Sequence, residues 1–317
     1  MTHQAVRRPT LGLDIGATKT HAILLDASGR VLADEVRPTP TGGDGVLAAA
    51  LAAADACLVR VGLVRGDLAC VGVGIPGQVD HRSGDVRTAV NLGIGHLDVG
   101  ARLRAEFGVP VSIDNDVKAA ALGAADHLGV GDLSYLNIGT GVAAATLVEG
   151  RLVRGRGNLA GEIGHIPVAL DGERCVCGQR GCLEALVGGG RIAARLAPLA
   201  PRVTLATLLA DAAGGDPDAA AEATAISTGI ATAVQLLVLT QGSALVVLGG
   251  GVIRTCTGLV DLVRRELASR ASRSDFLASV DLASRVADLP ADYPVAAIGA
   301  ALVARSDAAL SDPALLG

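Results

Sequence analysis

Leu13-Asp14-Ile15-Gly16-Ala17-Thr18 and Leu136-Asn137-Ile138-Gly139-Thr140-Gly141 are two copies of one short pattern in a chain of 317 residues. The first copy is followed by an apolar run to Leu25 and the second by one to Val148. An acidic residue and a Gly-Arg pair come after each run. Each copy predicts a strand, a glycine-rich turn, a second strand, a short turn and a third strand. The repetition predicts two similarly built domains, with chance similarity in a Gly/Val/Leu-rich sequence as the alternative.

Helix and strand patterns alternate along the rest of the chain. Helices are predicted over 44–65, 97–107 and 116–128, strands over 68–75, 109–113 and 244–248, and mainly helices between residue 185 and the last strand. This alternation predicts an α/β protein with mixed sheets. We expect a small first domain over 1–118, completed by a C-terminal helix over about 295–317. We expect a larger second domain over 119–294.

The composition indicates compact domains and argues against nucleic acid as a partner. Half of the residues are apolar and 19% are charged, a balance that excludes wholesale disorder. Aromatic residues make up 1% of the chain, whereas single-stranded nucleic acids are usually bound by aromatic stacking. The net charge of -5 gives no electrostatic attraction for nucleic acid either.

Residues 223–253 contain no charged side chain and are the candidate for a membrane span. Gln235, Thr240 and Gln241 interrupt this stretch, and Gly249-Gly250-Gly251 would break a spanning helix. We therefore predict a buried helix followed by a buried strand. The N-terminal segment has no apolar signal core. A cytoplasmic protein without a membrane partner is the expectation.

Three glycine-rich turns follow predicted strands, and glycine lets backbone amides approach phosphate oxygens. Each turn alone is more often structural, but three of them, two related by the repeat, favour a nucleotide phosphate site. None matches the P-loop pattern, so another fold is indicated. Asp14 could hold Mg²⁺ through water or cap its turn, and Lys19 could contact phosphate or stay solvated. The candidates for cofactor binding are Asp14, Gly16, Thr18, Lys19, Gly139, Thr140, Gly141, Gly249, Gly250 and Gly251.

Asp114-Asn115-Asp116 lies between a predicted strand and a predicted helix, where active-site groups of α/β proteins collect. Transfer of a phosphoryl group to an alcohol needs a carboxylate that accepts the hydroxyl proton. Asp116 is the candidate for this base. Helix capping by Asp114 or Asn115 is the alternative, and one residue can cap while another reacts.

Cys175, Cys177 and Cys182 lie within eight residues, and His165 stands ten residues ahead of the first cysteine. Three thiolates and one imidazole complete a closed, tetrahedral zinc site of the structural kind, with unrelated free thiols as the alternative. The second ring nitrogen of the histidine would stay free for a substrate oxygen. Polar side chains near the ligands suit hydroxyl groups, with a surface role as the alternative for the glutamates: Glu162, His165 and Glu184.

Together these residues resemble the ROK family of bacterial sugar kinases and sugar-responsive repressors, from Leu11 to about Ala304. The motifs that carry the resemblance are Asp14-Ile15-Gly16-Ala17-Thr18-Lys19, Gly74-Ile75-Pro76-Gly77, Asn115-Asp116, Gly139-Thr140-Gly141, Gly161-Glu162-Ile163-Gly164-His165 and Cys175-x-Cys177-Gly178-x-x-Gly181-Cys182-x-Glu184. The resemblance implies a two-domain, actin-like ATPase fold (ribonuclease H-like). It also implies Mg²⁺ and ATP in an interdomain cleft, and transfer to the 6-hydroxyl of a hexose.

The resemblance also assigns roles by matching position, with Asp116 as the general base. The remaining roles fall on Asn115, Glu162, His165 and Glu184 for sugar hydroxyls, on His165, Cys175, Cys177 and Cys182 for zinc, and on Gly139–Gly141 and Gly249–Gly251 for the nucleotide. This chain departs from the family pattern in three places. Val117-Lys118 follows Asn115-Asp116 in place of Ala-Asn, Ala143 stands where further glycines are common, and Ala124 replaces a frequent glutamate.

The leading hypothesis is an ATP-dependent, glucokinase-like hexose kinase. Glucose, mannose, N-acetylglucosamine and N-acetylmannosamine differ at position 2, so an N-acetylhexosamine kinase is an alternative. A second alternative is a sugar sensor that has lost catalysis through Lys118 and Ala143. Polyphosphate is an alternative to ATP as the phosphoryl donor. A repressor would need a winged helix-turn-helix ahead of Asp14, which 13 residues precede. The resemblance favours a homodimer.

Overall fold

The computed structural model describes residues 8–197, 204–256 and 258–311, and the chain divides into two compact units. Unit 1 comprises the chain up to Gly129, the short segment Arg154–Leu159 and the chain from Pro294 onward. Unit 2 comprises Val130–Val153 and Ala160–Tyr293. The first change of unit falls at Gly129 and not near residue 118, because the helix that spans this region stays whole with unit 1.

The strands are β1 (Thr10–Ile15), β2 (Lys19–Leu25), β3 (Val31–Pro38), β4 (Cys70–Ile75), β5 (Gln78–Asp80), β6 (Asp85–Ala89), β7 (Ile94–Asp98), β8 (Val111–Asn115), β9 (Leu133–Ile138), β10 (Val142–Val148), β11 (Arg151–Leu152), β12 (Leu245–Gly249) and β13 (Val286–Asp288). The helices are α1 (Gly43–Arg60), α2 (Val99–Phe107), α3 (Asp116–Leu128), α4 (Leu183–Val187), α5 (Gly189–Leu196), α6 (Leu205–Ala213), α7 (Pro217–Gln241), α8 (Gly251–Thr255), α9 (Leu259–Ala271), α10 (Asp275–Val280) and α11 (Val295–Ser311).

The two copies of the sequence pattern form the same meander in the two units. In unit 1, β1, β2 and β3 pair antiparallel, and β4 and β8 continue the sheet in parallel with β1. In unit 2, β9, β10 and β11 pair antiparallel, and β12 and β13 continue in parallel with β9. The strand orders are β3-β2-β1-β4-β8 and β11-β10-β9-β12-β13. The repeat and the mixed α/β architecture predicted from sequence are confirmed.

Helix α11 packs on the sheet of unit 1 with its backbone close to that of the strands. A Cβ atom on Gly12 would lie 2.1 Å from the carbonyl oxygen of Ala297, and one on Gly72 would lie 1.7 Å from that of Ala300. Neither distance allows a side chain, so glycine in β1 and β4 is what brings the helix this close. At this contact, small residues and not large side chains bring the helix and the sheet together.

We expect Gly72→Ala to lower the free energy of unfolding by about 1–3 kcal/mol or more, because the added methyl group forces α11 away from β4. Urea unfolding followed by circular dichroism measures the change. Gly95→Ala is the matched control, since a Cβ there meets nothing within 4 Å. Equal stabilities of the two variants would contradict the packing argument.

Unit 1 also contains a small antiparallel sheet that the sequence analysis did not predict. Strands β5, β6 and β7 pair in this order, and each spans three to five residues. Its buried residues, set among exposed polar positions, are Val79, Val86, Ala89 and Ile94. Such short strands give too few alternations for the period-2 signal to stand out.

Three predicted boundaries were wrong for identifiable reasons. Helix α1 ends at Arg60 and not at residue 65, because Gly62 takes a positive φ of 70°. Helix α2 begins at Val99 and not at residue 97, because Asp98 caps it and the preceding residues pair with β6. Strand β8 runs to Asn115 and not to residue 113, because its pairing with β4 continues that far.

Helix α7 forms the centre of the core of unit 2. Within the described residues it is the helix long and apolar enough to cross a membrane, but 56% of its most apolar window is buried inside the protein. Ile226, Ile230, Val234 and Leu237 lie in that core with strand β12. The predicted buried helix and buried strand are therefore present.

Candidate active site

Asp14 and the Asp114-Asn115-Asp116 segment lie at the same edge of the sheet in unit 1. In the register of the sheet, Asp14 pairs with Gly74 of β4, and Gly74 pairs with Asp114 of β8. Because β1, β4 and β8 are parallel, their carboxyl ends meet at one edge, where α/β proteins place their ligands. The structure thus brings the candidate magnesium-binding carboxylate and the candidate base to one edge.

The first glycine-rich turn joins β1 to β2 at this edge. The amide of Gly16 donates to the carbonyl oxygen of Lys19 at 2.9 Å, which closes the turn. Thr18 and Lys19 are exposed. The turn therefore presents a hydroxyl and an ammonium group beside the end of the strand that carries Asp14.

Asp116 is the first residue of α3. The side-chain oxygen of Asn115 accepts a hydrogen bond from the amide of Val117 at 2.9 Å, so Asn115 caps the helix. The Asp116 carboxylate accepts from the same amide at 3.0 Å and is half-buried. The side-chain amide of Asn115 donates to the carbonyl oxygen of Gly77 at 3.4 Å. Capping and a candidate base therefore coexist in this segment, on two different residues.

Lys118, a departure from the family pattern, has a partner within unit 1. Its side chain is 2% exposed, and its ammonium donates to the carbonyl oxygen of Asn158 at 3.1 Å. Lys118 therefore helps to hold the segment Arg154–Leu159 in unit 1. Ala143, a second departure from the family pattern, lies in β10 opposite Asn137.

His81 lies between two carboxylates in unit 1, and the sequence analysis missed it. Its Nδ1 lies 2.8 Å from the carbonyl oxygen of Ile113 and 3.5 Å from Asp114 Oδ2, and its Nε2 lies 3.3 Å from Asp307 Oδ2. Burial lowers the pKa of His81, but the hydrogen bond with Asp307 and the charge of Asp114 outweigh burial. The net pKa of His81 is raised above its ordinary value of 6.5.

We expect His81 to make the protein less stable as pH rises. Because its pKa is higher in the folded than in the unfolded state, its stabilisation is fully present below the unfolded value of 6.5. It is lost as pH rises through the folded pKa. Urea unfolding of the parent and of His81→Gln from about pH 5 to pH 9 isolates this contribution. Identical pH dependence in the two proteins would contradict it.

The second and third glycine-rich turns meet in unit 2. They follow the parallel strands β9 and β12, and Gly249 lies opposite Asn137. Gly250 has a φ of 91°, and a Cβ atom there would lie 2.4 Å from the carbonyl oxygen of Ile138. Glycine is therefore required where the turn after β12 passes the end of β9.

Unit 2 has a further glycine run that was not predicted as part of the site. This run, Gly188–Gly190, packs on the turn after β9. The amide of Gly189 donates to the carbonyl oxygen of Gly139 at 2.8 Å, and that of Gly190 donates to the carbonyl oxygen of Thr140 at 3.0 Å. A run of three glycines just after the cysteine motif was the available signal. Unit 2 thus gathers three glycine runs at one edge of its sheet.

Glu184 of α4 reaches the turn after β9. Its Oε2 accepts a hydrogen bond from the amide of Val142 at 3.0 Å. A Cβ atom on Gly141 would lie 2.5 Å from the same oxygen, so glycine makes room for the carboxylate. The candidate sugar-binding glutamate therefore adjoins the candidate phosphate turn.

His165, Cys175, Cys177 and Cys182 bring their donor atoms within 4.8 Å of one another. Cys175 Sγ lies 3.8 Å from His165 Nδ1, and Cys177 Sγ lies 3.7 Å from Cys182 Sγ. Tetrahedral zinc with bonds of about 2.3 Å to sulfur places its ligand sulfurs about 3.8 Å apart, so the four donors fit this ion. Hydrogen bonds from Gln179 lower the pKa of the Cys177 thiol to about 6, which favours the thiolate that a metal needs.

Tight turns shape the segment that carries these ligands. Gly178 and Gly181 have φ values of 94° and 71°. A Cβ atom on Gly181 would also lie 1.6 Å from the carbonyl oxygen of Ala169. These glycines supply the turns that ligands so close in sequence require.

Glu162 and His165 lie on a short segment packed against β10. Cβ atoms on Gly161 and Gly164 would lie 1.8 Å and 2.1 Å from carbonyl oxygens of that strand. The Glu162 side chain is exposed, and its carbonyl oxygen accepts from the amide of His165 at 3.2 Å. Nδ1 is the ring nitrogen of His165 that faces the cysteines.

A cavity of about 380 Å³ lies beside the Gly188–Gly190 run in unit 2. In the described part of the chain, Ile192, Leu196, Leu205 and Val252 are among its wall residues. A largely apolar cavity next to glycine turns has the chemistry to hold a nucleoside whose phosphates lie on those turns.

The chain is similar to several known sugar kinases. It is 32% identical over 183 residues to the glucokinase of Streptomyces coelicolor. These aligned residues cover 57% of this chain and 56% of that protein. The chain thus spans about half the length of this curated relative. The ROK hexokinase of Thermus thermophilus has a TM-score of 0.81 and 29% identity, covering 94% of this chain and 98% of that one.

A ROK family glucokinase of Streptomyces griseus, in complex with glucose and AMPPNP, has a TM-score of 0.73 and 27% identity, covering 94% of this chain and 99% of that one. With these neighbours, the fold is the actin-like ATPase fold that the motifs implied. A sequence model of the ROK family matches residues 10–306. The repeated meander, the Asn115-Asp116 helix start and the cysteine cluster all lie within this match, and the chain therefore belongs to the ROK family.

Proposed function

We propose that this protein is an ATP-dependent sugar kinase that phosphorylates the 6-hydroxyl of glucose or a related hexose. The observation that carries the proposal is the position of Asp116, at the start of α3 and at the strand edge that also holds Asp14. The complex of the Streptomyces griseus glucokinase with glucose and AMPPNP supports the same substrate classes. The cytoplasm remains the proposed location.

In unit 1, Asp116 accepts the proton of the sugar hydroxyl as that oxygen attacks phosphorus. Asn115 caps α3, which fixes the backbone of Asp116, and its side-chain amide serves a sugar hydroxyl. Asp14 is the residue that would hold Mg²⁺. ATP supplies the γ-phosphoryl group when bound, and Mg²⁺ neutralises the charge that develops on it.

In unit 2, backbone amides of Gly139–Gly141 and Gly249–Gly251 receive the phosphates, and the cavity beside Gly188–Gly190 receives the nucleoside. Glu162, His165 and Glu184 bind hydroxyl groups of the hexose. His165 and the three cysteines would hold zinc, which would fix the segment that carries these groups and, with four protein ligands, would take no part in the chemistry.

A coupled assay of ADP release with Mg-ATP tests the proposal on glucose, mannose, N-acetylglucosamine and N-acetylmannosamine. Turnover on one of them, with the phosphate located on the 6-oxygen by NMR, is the expected result and names the sugar. Folded, zinc-replete protein that turns over none of the four with ATP or with polyphosphate would contradict the hexose kinase. Sugar binding in that protein, measured by calorimetry, would favour the sensor.

A further inference from the structure

A buried carboxylate lies two residues before the proposed base. Asp114 is 0% exposed, and both of its oxygens are engaged. Oδ2 forms an ion pair with Arg154 Nε at 2.8 Å, and Oδ1 accepts from Asn158 Nδ2 at 3.1 Å and from the amide of Asn115 at 2.8 Å. A carboxylate so enclosed cannot contact a substrate. Its hydrogen bonds and ion pair indicate a structural role near Asp116.

Two partners of Asp114, Arg154 and Asn158, come from a segment far along the chain, while His81 Nδ1 lies 3.5 Å from Asp114 Oδ2. Arg154 and Asn158 follow it by 40 and 44 residues and lie in the segment Arg154–Leu159, which belongs to unit 1. Asn158 Nδ2 also donates to the carbonyl oxygen of Val79 at 3.0 Å, and the carbonyl oxygen of Asn158 accepts from Lys118 of α3. Asp114 is therefore the centre of a polar network that spans β8, α3 and this segment.

The network bears directly on the backbone that presents Asp116. Asp114 Oδ1 holds the amide of Asn115, and Asn115 caps the helix whose first residue is Asp116. Lys118 lies in the first turn of the same helix. Removing the Asp114 charge would release the end of β8 and the start of α3 together.

We propose that Asp114, held by Arg154 and Asn158, is a positioning residue that sets the orientation of the Asp116 carboxylate. The inference rests on the proposed kinase function. Its effect is on kcat, because a base displaced by about 1 Å from the attacking hydroxyl can lose about 100-fold in rate. The KM for the hexose should change by much less than kcat, since Asp114 touches no ligand and reaches the proposed sugar-binding residue Asn115 only through its backbone amide.

Asp114→Asn tests the proposal, because the amide keeps the shape but loses the charge that pairs with Arg154. We expect kcat to fall about 100-fold and the hexose KM to change by much less. In an Asp116→Asn background, Asp114→Asn should cause no further fall in kcat, because the effect of Asp114 on kcat acts through Asp116. A purely structural residue would lower the melting temperature without this kcat pattern.

Asp55→Asn is the control, since Asp55 also forms an ion pair with an arginine of unit 1, through two contacts of 2.8 Å with Arg65. Its kcat should equal that of the parent. If Asp114→Asn fails to fold, Asn158→Gly decides the question. Asn158 has a φ of 62°, so glycine keeps the backbone and removes only the side-chain bonds to Asp114 and Val79. Its kcat should fall, with a much smaller change in the hexose KM.

The possible outcomes separate this inference from the proposed function. Absence of turnover in the parent enzyme on every hexose overturns both. If the parent turns over a hexose and folded Asp114→Asn keeps the parental kcat, the positioning role alone is overturned. Where Asp114→Asn does not fold, a parental kcat in Asn158→Gly has the same meaning. So does a further loss caused by Asp114→Asn when Asp116 is already replaced.

Discussion

Asp116→Asn is expected to lower kcat for hexose phosphorylation by about 10²- to 10⁴-fold, the range that general base catalysis contributes. Asparagine has the size of aspartate and can still accept a hydrogen bond from the amide of Val117, so the start of α3 should remain intact. It cannot accept the proton of the sugar hydroxyl at neutral pH. Steady-state ADP release measures kcat, and calorimetry measures hexose affinity, which should change little.

The matched control for this substitution is Asp126→Asn on the same helix. Asp126 lies near the other end of α3 and is exposed, so neutralising it should leave kcat unchanged. An Asp116→Asn enzyme that keeps the parental kcat would remove Asp116 from the mechanism. It would leave the family membership of the chain untouched.

Cys182→Ser is expected to remove zinc from the protein and to lower the free energy of unfolding by about 4 kcal/mol, as loss of a structural metal does. Cys182 is 0% exposed, and a serine hydroxyl at neutral pH does not replace its thiolate as a ligand. The segment with Glu162, His165 and Glu184 should lose its fixed shape, and the hexose KM should rise. Zinc content by mass spectrometry, urea unfolding and steady-state kinetics measure the three effects.

Cys57→Ser provides the comparison for this experiment. Cys57 is also buried, but it lies in α1 of unit 1 and is not one of the four zinc donors, which belong to unit 2. This variant should keep the zinc content of the parent even if it is somewhat less stable. A Cys182→Ser protein that retains one zinc ion per chain would show that the cluster is not the metal site.

The fold was predictable where the signals are local or repeated. The two glycine-rich patterns predicted two similar meanders, and both are present. The spacing of Cys175, Cys177 and Cys182 predicted a cluster, because glycine turns within a few residues bring such ligands together. The start of α3 was predictable as well, since Asn115 carries the side chain that caps a helix.

Other features of the site could not be predicted, because they depend on contacts between distant segments. The small sheet of β5, β6 and β7 consists of short strands whose pairing is weakly marked in sequence. The Gly188–Gly190 run was visible as a motif, but its contacts with Gly139 and Thr140 depend on the way α4 and α5 pack. Nothing in the neighbouring sequence marks His81 as special. Its position between Asp114 and Asp307 comes from the fold.

The sequence by itself determined the repeated architecture, the candidate base and the candidate metal ligands, since each depends on residues a few positions apart and on backbone turns that glycine permits. Only the tertiary structure decided which groups surround them. From the sequence, Asp114 and Asn115 were equally good candidates for the helix cap. In the structure Asp114 is a buried anion, paired with Arg154 and Asn158, which lie 40 and 44 residues further along the chain. A buried charge requires such partners, and long-range packing alone supplies them.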